Sequence, residues 1–148
     1  MNRRRLLLIG SLIALLLLSS CSRMAVIGSC STAKVLDYGE RMGLQLEKYD
    51  AQLELANSTS RINLTGPRQR LVDLRFETSE MDRPGCLAYF HYTVIEAMLL
   101  YESAFEAFAS QESDQTVSNL LTRAVTEMGY VRENLLMIQV DIIPIYTD

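Results

Sequence analysis

Apolar residues recur along most of this chain at alternating steps of three and four, and that spacing limits the folds open to it. Such steps line one face of a helix, whereas a half-buried strand needs strict alternation. One series runs Val35, Tyr38, Met42, Leu46, Tyr49, Leu53 and Ala56. Another runs Leu87, His91, Val94, Met98, Tyr101, Phe105 and Phe108, and the last Val117, Leu121, Ala124, Met128, Val131, Leu135 and Ile138. Each covers about six helical turns. Hairpin signals such as Asn-Gly or Asp-Gly are absent, and only three prolines occur. Helix starts are marked by Ser31 or Thr32, by Asp82 before Pro84, and by Ser113 or Asp114.

A shorter helix, from about Pro67 to Ser79, carries Leu71, Leu74 and Thr78 and is led in by Thr65-Gly66-Pro67. The expected fold is all-α: a small antiparallel up-and-down helical bundle over residues 32–142, with three long helices and one shorter helix. If the short helix is an outrigger, the other three form the core. Gly39 and Gly43 would each cost helix propensity of about 1 kcal/mol, so their spacing predicts a close crossing with a neighbouring helix.

The first twenty residues follow a different logic. Arg3, Arg4 and Arg5 precede a 13-residue apolar run, Leu6 to Leu18, interrupted only by Gly10 and Ser11. A bilayer span takes about 20 apolar residues, so this run reads as a secretory signal peptide. An ordinary signal peptide cut nearby, or an uncleaved anchor, would share that pattern. The box that follows is more particular: Leu18-Ser19-Ser20-Cys21 resembles the lipobox of bacterial lipoproteins. The resemblance implies cleavage of residues 1–20 and a lipid-modified Cys21 at the new N-terminus. It also implies an extracytoplasmic protein anchored to a bacterial membrane. With Ser22 next, that is the outer membrane in a two-membrane envelope, and otherwise the outer face of the cell membrane. A single acyl chain holds a protein marginally, but two or more anchor it stably. Residues 21–31 would then be a tether, and 143–148 a C-terminal tail. Beyond this signal the chain resembles no characterised family.

Losing the three leader arginines takes the formal charge from −4 to −7, with 11 basic residues against 18 acidic. Such a domain repels phosphate backbones, so nucleic acid is not an expected partner. Export also bears on the two remaining cysteines. Cys30 precedes the first helix, and Cys86 is expected in the first turn of the third. In an up-and-down bundle both positions share an end, and oxidising surroundings favour a Cys30–Cys86 disulfide. Helices one and three are diagonal in a square bundle, so the bridge needs a flexible lead-in at Cys30 or a three-helix core. Cys21 lies nine residues before Cys30. The bridged end should therefore sit near the membrane, with the turns at residues 57–66 and 110–115 facing away.

Catalytic constellations are missing from the pattern. His91 is the one histidine, and Ala88, three positions before it, leaves no Glu-x-x-His pair for a di-iron site. No Cys-x-x-Cys-His haem motif, Gly-x-Ser-x-Gly elbow or Gly-rich phosphate loop occurs. Neither an enzyme nor a cofactor or metal is expected. The third helix is expected to carry Glu96, Glu102, Glu106 and Glu112, with no Lys or Arg between Pro84 and Glu112. Arg61, Arg68, Arg70, Arg75 and Arg83 precede it, and solvated pairs between the two sets are expected. The sequence thus predicts an envelope lipoprotein acting by contact with another envelope protein. The alternative is a lipoprotein that holds a small or hydrophobic ligand between helices near His91, Tyr101 and Phe105.

Overall fold

The computed structural model describes residues 30–140. The expected leader 1–20, the expected lipidation site Cys21, most of the expected tether, and everything after Val140 lie outside the described residues. Four α-helices carry the fold: α1 Thr32–Ser58, α2 Thr65–Ser79, α3 Ala88–Ala109 and α4 Asp114–Val140. Short 3-10 turns at Arg61–Asn63 and Gly85–Leu87 lead into α2 and α3. No strand occurs among the described residues.

Local chemistry explains the boundaries. The Ser31 side chain accepts the Lys34 N–H at the start of α1, and Ser113 accepts the Thr116 N–H at the start of α4, each meeting a donor that the helix itself leaves unpaired. Helix lengths depart from expectation at two places. α2 begins at Thr65, ahead of Pro67, because a first-turn proline gives up an N–H that had no helical acceptor. α3 begins only at Ala88. Pro84 disfavours helical geometry in the residue before it, and the chain first makes a 3-10 turn in which the Leu87 N–H reaches Pro84 O at 3.0 Å. Cys86 therefore lies in that turn and not in the first turn of a helix. Between α3 and α4, Gln111 takes a left-handed φ of 61°. That conformation lets the Glu112 N–H reach back to Ala107 O at 3.0 Å, closing the end of α3.

The apolar stripes meet in one core. All seven stripe residues of α1 are buried, and Leu71, Leu74 and Thr78 bury α2 against it. α2 thus belongs to the core. The stripes of α3 and α4 are buried through their middles, with Leu87, Phe108 and Leu121 half-buried at the ends. Helices touch in the order α1–α2, α2–α3, α3–α4 and α4–α1. Across the middle, Tyr38 reaches His91 at 2.9 Å and Tyr49 donates to Met98 O at 3.0 Å, joining α1 to α3. At the edges Gln45 and Gln52 of α1 donate to Leu74 O and Pro67 O, both at 3.2 Å. Arg75 and Arg68 of α2 pair with Glu102 and Glu106 of α3. Arg132 of α4 pairs with Asp50, and Gln139 donates to Gly39 O at 3.2 Å.

That last bond marks the tightest approach. A Cβ at Gly39 would stand 3.1 Å from Ile138 Cγ2, and one at Gly43 would stand 3.3 Å from Gln139 Nε2. Gly129 of α4, by contrast, faces open space. Ala at either site gains helix propensity of about 1 kcal/mol, but at Gly39 the methyl needs the Ile138 side chain to give by a few tenths of an ångström, which offsets that gain. Thermal melts should therefore show Gly129→Ala raising Tm by a few degrees and Gly39→Ala falling clearly short of that rise. Equal shifts for the two variants would mean that α1 and α4 do not meet closely at Gly39.

Candidate functional site

Cys30 and Cys86 stand together at one end of the domain, at disulfide distance, with Cα atoms 6.1 Å apart. Native bridges span Cα separations of this size. The 3-10 turn carries Cys86 outward from α3, and Cys30 sits one residue ahead of the α1 cap. Those two lead-ins bring the sulfurs together although the helices themselves are joined only by long side chains.

His91 is one such joint. It is 4% exposed and shares a hydrogen bond between its Nδ1 and the Tyr38 hydroxyl. Burial lowers its pKa from the usual 6.5, the positive charge of Arg83 lowers it further, and a hydrogen bond to the Ser79 backbone opposes the shift. One neutral tautomer meets both partners, accepting the Tyr38 hydroxyl at Nδ1 and donating its N–H to Ser79. Burial also holds the Tyr38 phenol well above its ordinary pKa. This is the hydrogen-bonding pattern of a neutral core residue.

Tyr101 is also buried, its ring edge-on to Tyr49 with centroids 6.4 Å apart. It stands ten residues beyond His91, about 15 Å along α3. Phe105 is a turn farther on. His91 and Tyr101 line none of the four best-formed hollows among the described residues, whereas Phe105 lines one of about 680 Å³. The structure thus does not gather His91, Tyr101 and Phe105 around one cavity.

The hollow at Phe105 is a groove of about 680 Å³ at the end of α3 remote from Cys86. Ala104, Phe105 and Phe108 form its floor, Ala56 and Asn57 of α1 one wall, and Asp114 with residues from Val117 to Thr126 of α4 the other. Its threonines are less polar than their names suggest. Thr59 donates to Leu55 O, Thr122 to Ser118 O and Thr126 to Thr122 O, at 2.6, 2.8 and 2.9 Å. Each hydroxyl proton is thereby spent on the protein's own backbone. Leu55, Ile62 and Val125, at the same end, are 51, 92 and 60% exposed. The sequence signal for this surface was present but faint: Leu55 and Val125 are apolar positions just off the core stripes.

A second groove, of about 520 Å³, lies between α3 and α4 near the cysteine end, among Leu87, Phe90, Tyr130 and Ile138. Between α2 and α3, Glu102 is largely buried. Desolvation raises its pKa, and its hydrogen bond and charge pair with Arg75, at 2.8 Å, work against that rise. Among the described residues no three His, Cys, Asp or Glu side chains converge as a metal site. None of the described helices is long and apolar enough to cross a membrane. No protein-family model matches this chain, and no curated protein or solved structure shows significant similarity to it.

His91 gives the domain a pH dependence of definite sign. Its folded pKa is depressed, so below about pH 6.5 the unfolded chain takes up a proton that the folded chain refuses. Stability is then full above that pH and falls as pH drops toward the lower folded value. Denaturant midpoints at pH 7.5 and 5.5 should differ more for the native chain than for His91→Gln; equal differences would show that His91 titrates normally. Tyr38→Phe, which strands the buried Nδ1, should cost about 1–3 kcal/mol by the same assay.

Proposed function

We propose that this chain is a lipoprotein of the bacterial envelope that works by contact and not by catalysis. Its helices form an antiparallel up-and-down bundle, held by lipid at Cys21 and stapled by a Cys30–Cys86 disulfide. The pairings of Gln45 with Leu74 and Gln52 with Pro67 run in opposite order along α1 and α2. The same reversal relates Arg75 and Arg68 to Glu102 and Glu106, and Asp50 and Gly39 to Arg132 and Gln139; these reversals support the topology. The staple closes a loop with a sequence separation of 56, and on the loop-entropy account such a bridge stabilises by about 4 kcal/mol.

The observation that carries the contact reading is the apolar groove over Phe105 and Phe108, open at the end remote from Cys30. With the tether leaving at Cys30, that groove faces away from the membrane. Its spent hydroxyls and the exposed Leu55, Ile62 and Val125 suit an apolar segment of another envelope protein. The alternative, a small hydrophobic ligand between helices, finds its support in this same groove; the neighbourhood of His91 offers it none.

A photoreactive side chain placed at Val125 in intact cells tests the proposal, with Lys48, exposed on α1, as the comparison site. The expected result is a discrete protein adduct from Val125 and none from Lys48. Equal labelling from both positions, or none from Val125, would contradict a contact role for this groove.

A further inference from the structure

The 3-10 turn between α1 and α2 holds Ile62, the most exposed large apolar side chain among the described residues, at 92%. A lone exposed apolar residue usually signifies nothing, but this one is fixed in direction. Side chains three apart in a 3-10 turn lie over one another, and here that pair is Arg61 and Leu64, joined by the Leu64 N–H to Arg61 O bond. The Arg61 guanidinium stacks 4.6 Å from the centroid of the Phe108 ring, and Leu64 is buried in the core. With both of those drawn to the domain, Ile62 points away from it. It is a rigid apolar knob, and a rigid group loses little freedom on docking.

The knob stands beside the groove over Phe105 and Phe108. Thr59 of that groove is three residues before it, and Phe108 is the ring that Arg61 covers. Ile62 does not line the groove of its own chain. Charge divides the same end of the domain. From Leu55 to Val72 the chain carries Arg61, Arg68 and Arg70 and no Asp or Glu, whereas from Pro84 to Thr122 it carries no Lys or Arg. Arg68 pairs with Glu106 and Arg70 with Glu77. Among the described residues Arg61, Glu112 and Asp114 enter no ion pair, and Asp114 lines the groove. The knob thus has an unpaired cation beside it, and the groove has unpaired anions.

We propose that this groove receives Ile62 of a second copy of the chain, in a two-fold symmetric dimer. A two-fold interface is self-complementary, so a knob that enters its partner's groove is matched by the partner's knob entering its own. Each contact brings Arg61 of one copy toward Glu112 and Asp114 of the other, which sets the register of the pair more than its strength. Knob and groove lie at the same end of the bundle. A two-fold axis parallel to the helices therefore satisfies both contacts and leaves both Cys30 ends on one side. This inference rests on the contact role proposed for the groove and names the partner there.

An aliphatic diazirine side chain in place of Ile62 keeps the knob and reports what it touches. It would be placed in the full chain in its own membranes, beside a co-expressed copy carrying a mass tag. The expected result is an adduct of two chains that includes the tag and joins position 62 to the Val117–Thr126 segment. Asp114→Arg in both copies should reduce that adduct severalfold, and adding Arg61→Glu should restore it, at unchanged helicity. An adduct with a different protein, or none while the probe at Val125 labels a different protein, would overturn the dimer and leave the contact role standing. Silence from both positions would overturn both. A two-chain adduct indifferent to Asp114→Arg, or not restored by Arg61→Glu, would also overturn the dimer.

Discussion

The rest of the domain depends on how closely α1 can approach α4. With no side chain at Gly39 and Gly43, the α1 backbone comes against Ile138 and Gln139, and Gln139 bonds directly to the Gly39 carbonyl. Two straight helices that touch closely at one end and cross at an angle must separate toward the other. At the far end of α1, around Ala56, the space between the walls exposes Phe105 and Phe108 of α3 as a groove floor. The tight contact of α1 with α4 thus lies near the cysteines, and the open groove lies at the other end.

Polar groups inside the domain fix its register more than they add to its stability. Tyr38, Tyr49, Gln45, Thr78 and His91 are buried, and each has a hydrogen-bond partner. No buried side-chain nitrogen or oxygen among the described residues is left without one. A net hydrogen bond contributes only about 1 kcal/mol, but a misplaced helix would strand these groups at a cost of about 1–3 kcal/mol each. Sliding α1 along α3 by one turn would strand both tyrosines at once. Apolar stripes alone tolerate such slips, whereas these bonds do not.

Much of this was legible in the sequence, because helical spacing reports directly on burial. Every stripe position of α1 is buried, as are Leu71, Leu74 and Thr78 of α2, and the Gly39–Gly43 spacing pointed to the close crossing. Periodicity says less about ends and about what lies between helices. Asp82 and Pro84 pointed to a helix start that the 3-10 turn at Gly85–Leu87 delays. His91, Tyr101 and Phe105 share a stripe, and a stripe is some 30 Å long, so sharing one does not place side chains in one pocket. The groove at Phe105 arises from the relative positions of three helices, which no single stretch of sequence encodes. Its three threonine hydroxyls read as polar in sequence and become less so once their protons are bound to helix carbonyls.

In the proposed account, one end of the bundle is tied to a membrane and the other is free to meet a partner. The tie and the staple make a joint claim about the same few residues, Cys21, Cys30 and Cys86. The most direct measurement is the intact mass of the protein extracted from its own membranes, taken with and without reductant. The account predicts a chain beginning at Cys21 that carries acyl chains and gains one disulfide's pair of hydrogens on reduction. A chain that retains its leader or begins elsewhere, unacylated and unchanged by reductant, would contradict it.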